Sequence, residues 1–153
     1  MAFSKEDALL PEGFRDLLPH EAGAEAAMVE RLMAAFLRHG YERVKPPLME
    51  FETSLLAGAG AAMTAHTFRL MDPVSQRMMG LRADMTPQIA RIAAARLADA
   101  PRPLRLSYAG QVLRVRGSTL QHGRQLGQVG AELIGAEGAA VAAVLGVPVG
   151  SRS

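Results

Sequence analysis

The chain has 153 residues, 49% of them hydrophobic, and a formal net charge of +2. This is enough apolar material for one domain with a core, it includes no apolar run long enough to cross a bilayer, and its charge is too small to attract nucleic acid by bulk electrostatics. The lack of cysteine excludes disulfides and thiolate metal sites and suits a cytoplasmic protein, while His20, His39, His66 and His122 are scattered without metal-ligand spacing.

Residues 1–19 read as irregular, punctuated by Pro11, Gly13 and Pro19, and Lys5, Glu6 and Asp7 ahead of Leu9 exclude a signal peptide. From Glu21 the pattern is helical. Val29, Leu32, Met33, Phe36 and Leu37 recur at spacings of three and four, and Arg38, His39 and Gly40 form a stop signal. Tyr41 to Val44 predicts a short strand that Pro46 and Pro47 end. Leu48, Phe51, Leu55 and Leu56 fit either a short helix or an extended segment. Residues 57–66 are small and glycine-containing, without the spacing of a phosphate loop, and predict a flexible connection.

Thr67 to Met71 and Arg77 to Leu81 predict a hairpin turning at Asp72-Pro73, and Met63, Met71, Met78, Met79 and Met85 read as adaptable core filler. Thr86-Pro87 opens a second helix, with Thr86 suited to N-cap and Pro87 to the first turn. Its packed stripe is Ile89, Ile92, Ala93 and Leu97. Arg82 and Asp84 precede this helix, where a ligand could meet its N-terminal end.

Leu104 to Gly135 predicts two strands joined by a loop. In the second strand Val129, Ala131 and Leu133 point one way and Gln128, Gly130 and Glu132 the other. Gly130 leaves a gap where a ligand could lie against backbone, flanked by Gln128 and Glu132 about 13 Å apart by the rise per residue of a strand. The same face also fits an ordinary solvent-facing strand. Arg102, Arg105, Arg114, Arg116 and Arg124 come with no Lys and no acid before Glu132, which favours an anionic ligand near the loop; a solvated surface is the plainer account of Arg102 and Arg124. From Ala136 an alanine-rich run dissolves into Gly, Pro and Ser, so residues 1–135 read as a partial core domain and 136–153 as an atypical tail, either cut from something longer or replaced.

Leu10 to Pro19, Gly40 to Glu50, Leu81 to Arg91 and Arg105 to Gly135 together resemble the catalytic core of the histidyl-tRNA synthetases. They resemble more closely that family's non-acylating relatives, the regulatory subunits of ATP phosphoribosyltransferase in histidine biosynthesis. The resemblance implies an α+β class II synthetase fold, an antiparallel sheet flanked by helices, incomplete at the C-terminus because no third class II motif follows. It implies a dimer interface at Pro47, contacts to the amino group of histidine from Asp84 and Thr86, and further contacts from Gln128 and Glu132, the latter towards the imidazole.

Arg114 falls on the arginine that grips the ATP α-phosphate, but Arg116 stands where adenylating enzymes carry glutamate, and Gly117-Ser118-Thr119 replaces their Arg-Pro-Gln loop. Ala83 and Met85 replace a proline and a glycine. The resemblance therefore implies histidine binding without adenylation, without tRNA, cofactor or metal, in a cytoplasmic hetero-oligomer with the catalytic phosphoribosyltransferase subunit. A histidine-activating synthetase fragment and a non-functional remnant are the alternatives.

Overall fold

A computed structural model of the chain describes residues 4–135, so the tail from Ala136 lies outside the described residues. The first helix, α1, spans Pro19–Arg38. It begins two residues before Glu21 because Pro19, whose fixed φ suits a first turn, is itself helical. Its end is a Schellman motif: Tyr41 N–H donates to Phe36 O and Gly40 N–H to Leu37 O, both at 3.0 Å. Gly40 supplies the required left-handed φ of +80°, and the Phe36 and Tyr41 rings close the motif with centroids 6.1 Å apart.

Strand β1 (Glu42–Arg43) follows, then β2 (Met49–Phe51) and α2 (Glu52–Leu55). The ambiguous stretch around Leu48–Leu56 thus takes both conformations in succession. The predicted flexible connection at 57–66 is partly wrong, because Ala61–His66 forms helix α3. Past Gly60 the run Ala-Ala-Met-Thr-Ala contains no glycine, and alanine's helix propensity prevails. The predicted hairpin is present as β3 (Arg69–Met71) and β4 (Met78–Leu81). Helix α4 (Thr86–Arg91) continues as a π-helical turn over Ile92–Arg96, and the long hairpin is β5 (Leu104–Leu113) and β6 (Gln125–Ile134).

Two three-stranded sheets result, ordered β1-β5-β6 and β2-β4-β3. The second is antiparallel throughout. In the first, β5 and β6 pair antiparallel from Leu104↔Ile134 to Leu113↔Gln125, while β1 joins β5 in parallel. The core lies on one face of this sheet, where Met85, Ile89 and Ala93 pack against Leu104, Leu106, Tyr108 and Val112, edged by Ile92 and Leu97. Each such large apolar side chain contributes roughly 1.5–3 kcal/mol on burial. The opposite face meets α1, where Gln111 Nε2 donates to Glu25 Oε1 at 3.4 Å. Met85 is the one fully buried member of the five methionines expected to fill the core; Met63 and Met71 are 40% and 53% exposed, because α3 and β3 lie outside the main core.

Arg82 connects the two sheets. It is buried, its Nε donates to Gln111 O at 2.8 Å, and its Nη1 donates to Pro46 O at 3.0 Å and Pro47 O at 3.4 Å. Its backbone completes the join, with Arg82 N–H on Leu48 O and Leu113 N–H on Arg82 O. All its side-chain acceptors are carbonyls, so this arginine, ahead of the helix end where a ligand could bind, is a structural clamp. Gly110 makes room for it, since a Cβ there would run into the Arg82 guanidinium and the Met85 sulfur. Arg82→Met should therefore cost about 3 kcal/mol, the scale of losing charged hydrogen bonds and stranding their buried acceptors. Urea denaturation measures this, and an unchanged midpoint would contradict the clamp.

Candidate functional site

The polar face of β6 is covered. Glu132 is 6% exposed, so the solvent-facing account of this strand does not hold. The Gln128 amide joins β6 to the loop before α4: its Oε1 accepts from Met85 N–H at 2.8 Å, and its Nε2 donates to Asp84 Oδ1 at 2.8 Å. Asp84 Oδ1 also accepts from Thr86 N–H at 3.0 Å. This corrects the capping assignment, because Met85 is the N-cap and no side chain caps the helix through it. Asp84 holds the first helical N–H instead, and the Thr86 hydroxyl is turned to the sheet.

That hydroxyl meets a residue not singled out in the sequence. Tyr108 pairs directly with Gly130 across the hairpin, and its ring lies where a Cβ on Gly130 would stand. The gap expected to admit a ligand against backbone is thus filled by the protein's own tyrosine. The Tyr108 hydroxyl lies 3.3 Å from Thr86 Oγ1 and donates to Glu132 Oε1 at 3.2 Å. Strand register offered the signal, since an aromatic residue directly across from a glycine covers it.

Asp84, Thr86, Tyr108, Gln128 and Glu132 thus form one hydrogen-bonded cluster with two carboxylates. Among the described residues the ion pairs are Arg15–Glu21, Arg43–Glu30, Arg69–Glu52 and Arg91–Glu50, so no basic side chain neutralises Asp84 or Glu132. Burial, and secondarily the nearby Asp84 charge, pushes the Glu132 carboxyl up from its ordinary value. Burial likewise pushes the Tyr108 phenol up to about 12, with Glu132 and Asp84 adding to the effect. Among the described residues no group of three acids or histidines could hold a metal ion. A site with excess negative charge, two hydroxyls and an amide complements a small cationic ligand through charge-assisted hydrogen bonds.

Among the described residues no ion pair ties the arginines to this cluster. Arg116 is exposed and Arg114 half-buried, and neither makes an ion pair among the described residues. Arg114 N–H donates to Arg124 O at 2.7 Å, closing the hairpin end. Arg124 is not the solvated residue expected. Its guanidinium lies 4.9 Å from the Phe14 ring centroid and 5.1 Å from that of Phe68, and Nη1 donates to Glu12 O at 3.0 Å. Pro47 is exposed, with its carbonyl accepting from Gln88 Nε2 at 2.7 Å.

A buried carboxyl with a raised pKa favours the folded state only while protonated. The folded protein then binds more protons than the unfolded chain, so stability falls as pH rises above the ordinary Glu value of 4.5. Glu132→Gln is expected to melt higher than the unmodified protein at neutral pH, with the advantage shrinking towards pH ~4. Melting curves across pH check this, and a pH-independent difference would place the carboxyl in an unperturbed setting.

Comparison with known proteins matches this geometry to a family. A sequence profile of the histidyl-tRNA synthetase family matches residues 13–145. The chain is 65% identical over 139 residues to the ATP phosphoribosyltransferase regulatory subunit of Paramagnetospirillum magneticum, covering 91% of this chain and 37% of that protein. It is 68% identical over 128 residues to the protein of the same name from Rhodospirillum centenum, covering 84% of this chain and 33% of that one. It therefore spans about a third of the length of these relatives. Among solved structures, an ATP phosphoribosyltransferase regulatory subunit/histidyl-tRNA synthetase from Bacillus halodurans superposes with a TM-score of 0.72 at 29% identity, over 89% of this chain and 34% of that one. A histidine–tRNA ligase subunit from Alicyclobacillus acidocaldarius superposes with a TM-score of 0.72 at 33% identity, over 86% of this chain and 37% of its own. In sequence and in fold the chain belongs to the histidyl-tRNA synthetase family, with the class II architecture of its core.

Proposed function

We propose that this chain forms part of a non-catalytic regulatory subunit of ATP phosphoribosyltransferase, acting in the first step of histidine biosynthesis, and that histidine is its effector. The observation that carries the reading is the uncompensated acidic cluster, in a chain 65% identical to a protein named as such a subunit. Asp84, Thr86 and Gln128 receive the ammonium group of histidine, and Glu132 the imidazole N–H. Binding supplies the positive charge that the two carboxylates lack.

Feedback follows if histidine binds more tightly to an arrangement in which the partner catalytic subunit is slow. Reciprocally, the catalytic partner then shifts histidine affinity by the same factor. Self-association uses the face around Pro47, whose neighbours are tied to the loop ahead of Asp84 by the Arg82 clamp. The protein is cytoplasmic in this reading, and among the described residues no helix is long and apolar enough to cross a membrane.

Activation of histidine is the second reading, favoured by the solved relatives that carry a tRNA-ligase name. Arg116 argues against it, since it puts a cation where an adenylating enzyme carries an acid. Histidine-dependent ATP–pyrophosphate exchange should be absent; robust exchange would overturn the regulatory reading.

Calorimetry on the purified chain, alone and mixed with a catalytic ATP phosphoribosyltransferase subunit, tests the effector site. Histidine should bind, and Glu132→Gln should weaken binding by about 1.5–3 kcal/mol, the scale of a hydrogen bond to a charged group. Equal affinity in the two proteins would put Glu132 outside the site.

A further inference from the structure

Tyr108 touches two members of this cluster, Thr86 and Glu132, and is 0% exposed. Its ring belongs to the core beside Met85 and Ile89, and a phenylalanine would serve that packing equally well. A buried hydroxyl costs free energy unless it is bonded, so the core alone does not account for it. The hydroxyl bridges the Thr86 hydroxyl on α4 and the Glu132 carboxylate on β6. The Gln128 amide makes a second bridge, between β6 and the loop carrying Asp84 and Met85. Gly130 lies between the two bridges, under the Tyr108 ring. The site is therefore laced to the sheet at both ends, with its floor closed by an aromatic ring.

Resting on the histidine-binding reading above, we propose that Tyr108 is a positioning and specificity-determining residue of this site. Its hydroxyl holds the Glu132 carboxylate and the Thr86 hydroxyl in fixed relation. Its ring denies the space over Gly130 to ligands with bulkier side chains. The ligand class so selected is an amino acid with a compact side chain that offers an N–H donor to Glu132.

The titratable groups facing Glu132 are Asp84, from the loop before α4, and Tyr108 itself, from β5. The other polar members, Thr86 on α4 and Gln128 on β6, are neutral, and α1 packs on the opposite face of the sheet. The hydroxyl and the ring of Tyr108 can therefore be tested separately.

The hydroxyl is tested with Tyr108→Phe, which keeps the ring over Gly130. In the ligand-free protein, the Glu132 carboxyl titration followed by carbon NMR should move to higher pH, because the donor that favours the ionised form is gone. Histidine affinity should fall about tenfold, the equivalent of one charge-assisted hydrogen bond. The ring is tested with Tyr108→Leu, which should weaken histidine and admit phenylalanine, a ligand the unmodified chain should reject. An unmoved Glu132 titration with unchanged histidine affinity in Tyr108→Phe would overturn the positioning role. Continued rejection of phenylalanine by a folded Tyr108→Leu would overturn the specificity role. If the unmodified chain binds no histidine, the functional reading and the specificity role both fail, and the ligand-free titration still decides whether Tyr108 positions Glu132.

Discussion

The register of the β5–β6 hairpin sets the geometry of everything around it. Ten residue pairs align without a bulge, placing Tyr108 opposite Gly130 and Gly110 opposite Gln128. Each pair sets a large side chain against a glycine, and each glycine admits something bulky: the Tyr108 ring over Gly130, and the Arg82 guanidinium beside Gly110. A slip of one residue would turn Gln128, Gly130 and Glu132 towards α1. It would also bring a side chain into the space over Gly130 that Tyr108 occupies. The hairpin thus fixes both the clamp that joins the two sheets and the bridges that join β6 to α4.

Within that frame the cluster works against the fold that holds it. Two carboxylates, one of them buried, share a hydrogen-bonded group with no cation among the described residues. Apolar packing in place of buried charged groups is often neutral or stabilising. Perturbed acids concentrate where a protein must bind or react. Under the proposed reading the missing component is a positive charge, which a cationic ligand would supply. The core residues Met85 and Ile89, directly behind the cluster, make any shift of its members a packing change.

Much of this was legible in the sequence, for identifiable reasons. Helix α1 was readable because its apolar spacing and the Arg38-His39-Gly40 stop act locally, and the Schellman motif uses those residues. The long hairpin and the shared face of Gln128 and Glu132 were readable from strand alternation, and the family resemblance named Asp84 and Thr86, which the fold brings beside Gln128. Tyr108 was not, since its role depends on cross-strand register rather than on its own neighbours. The roles of Arg82 and Arg124 were hidden for a related reason: their partners, the carbonyls of Pro46 and Gln111 for one and the rings of Phe14 and Phe68 for the other, are distant in sequence. Helix α3 was missed because two preceding glycines masked a short alanine run.

The central claim is that the acidic cluster on β6 receives histidine. The most direct test is amide chemical-shift mapping of the isotopically labelled chain during titration with histidine. The account predicts saturable shifts at Asp84, Met85 and Thr86, at Tyr108, and along Gln128 to Glu132, with the Arg114–Arg124 loop unmoved. Shifts confined to that loop, or no saturable shift at all, would contradict it.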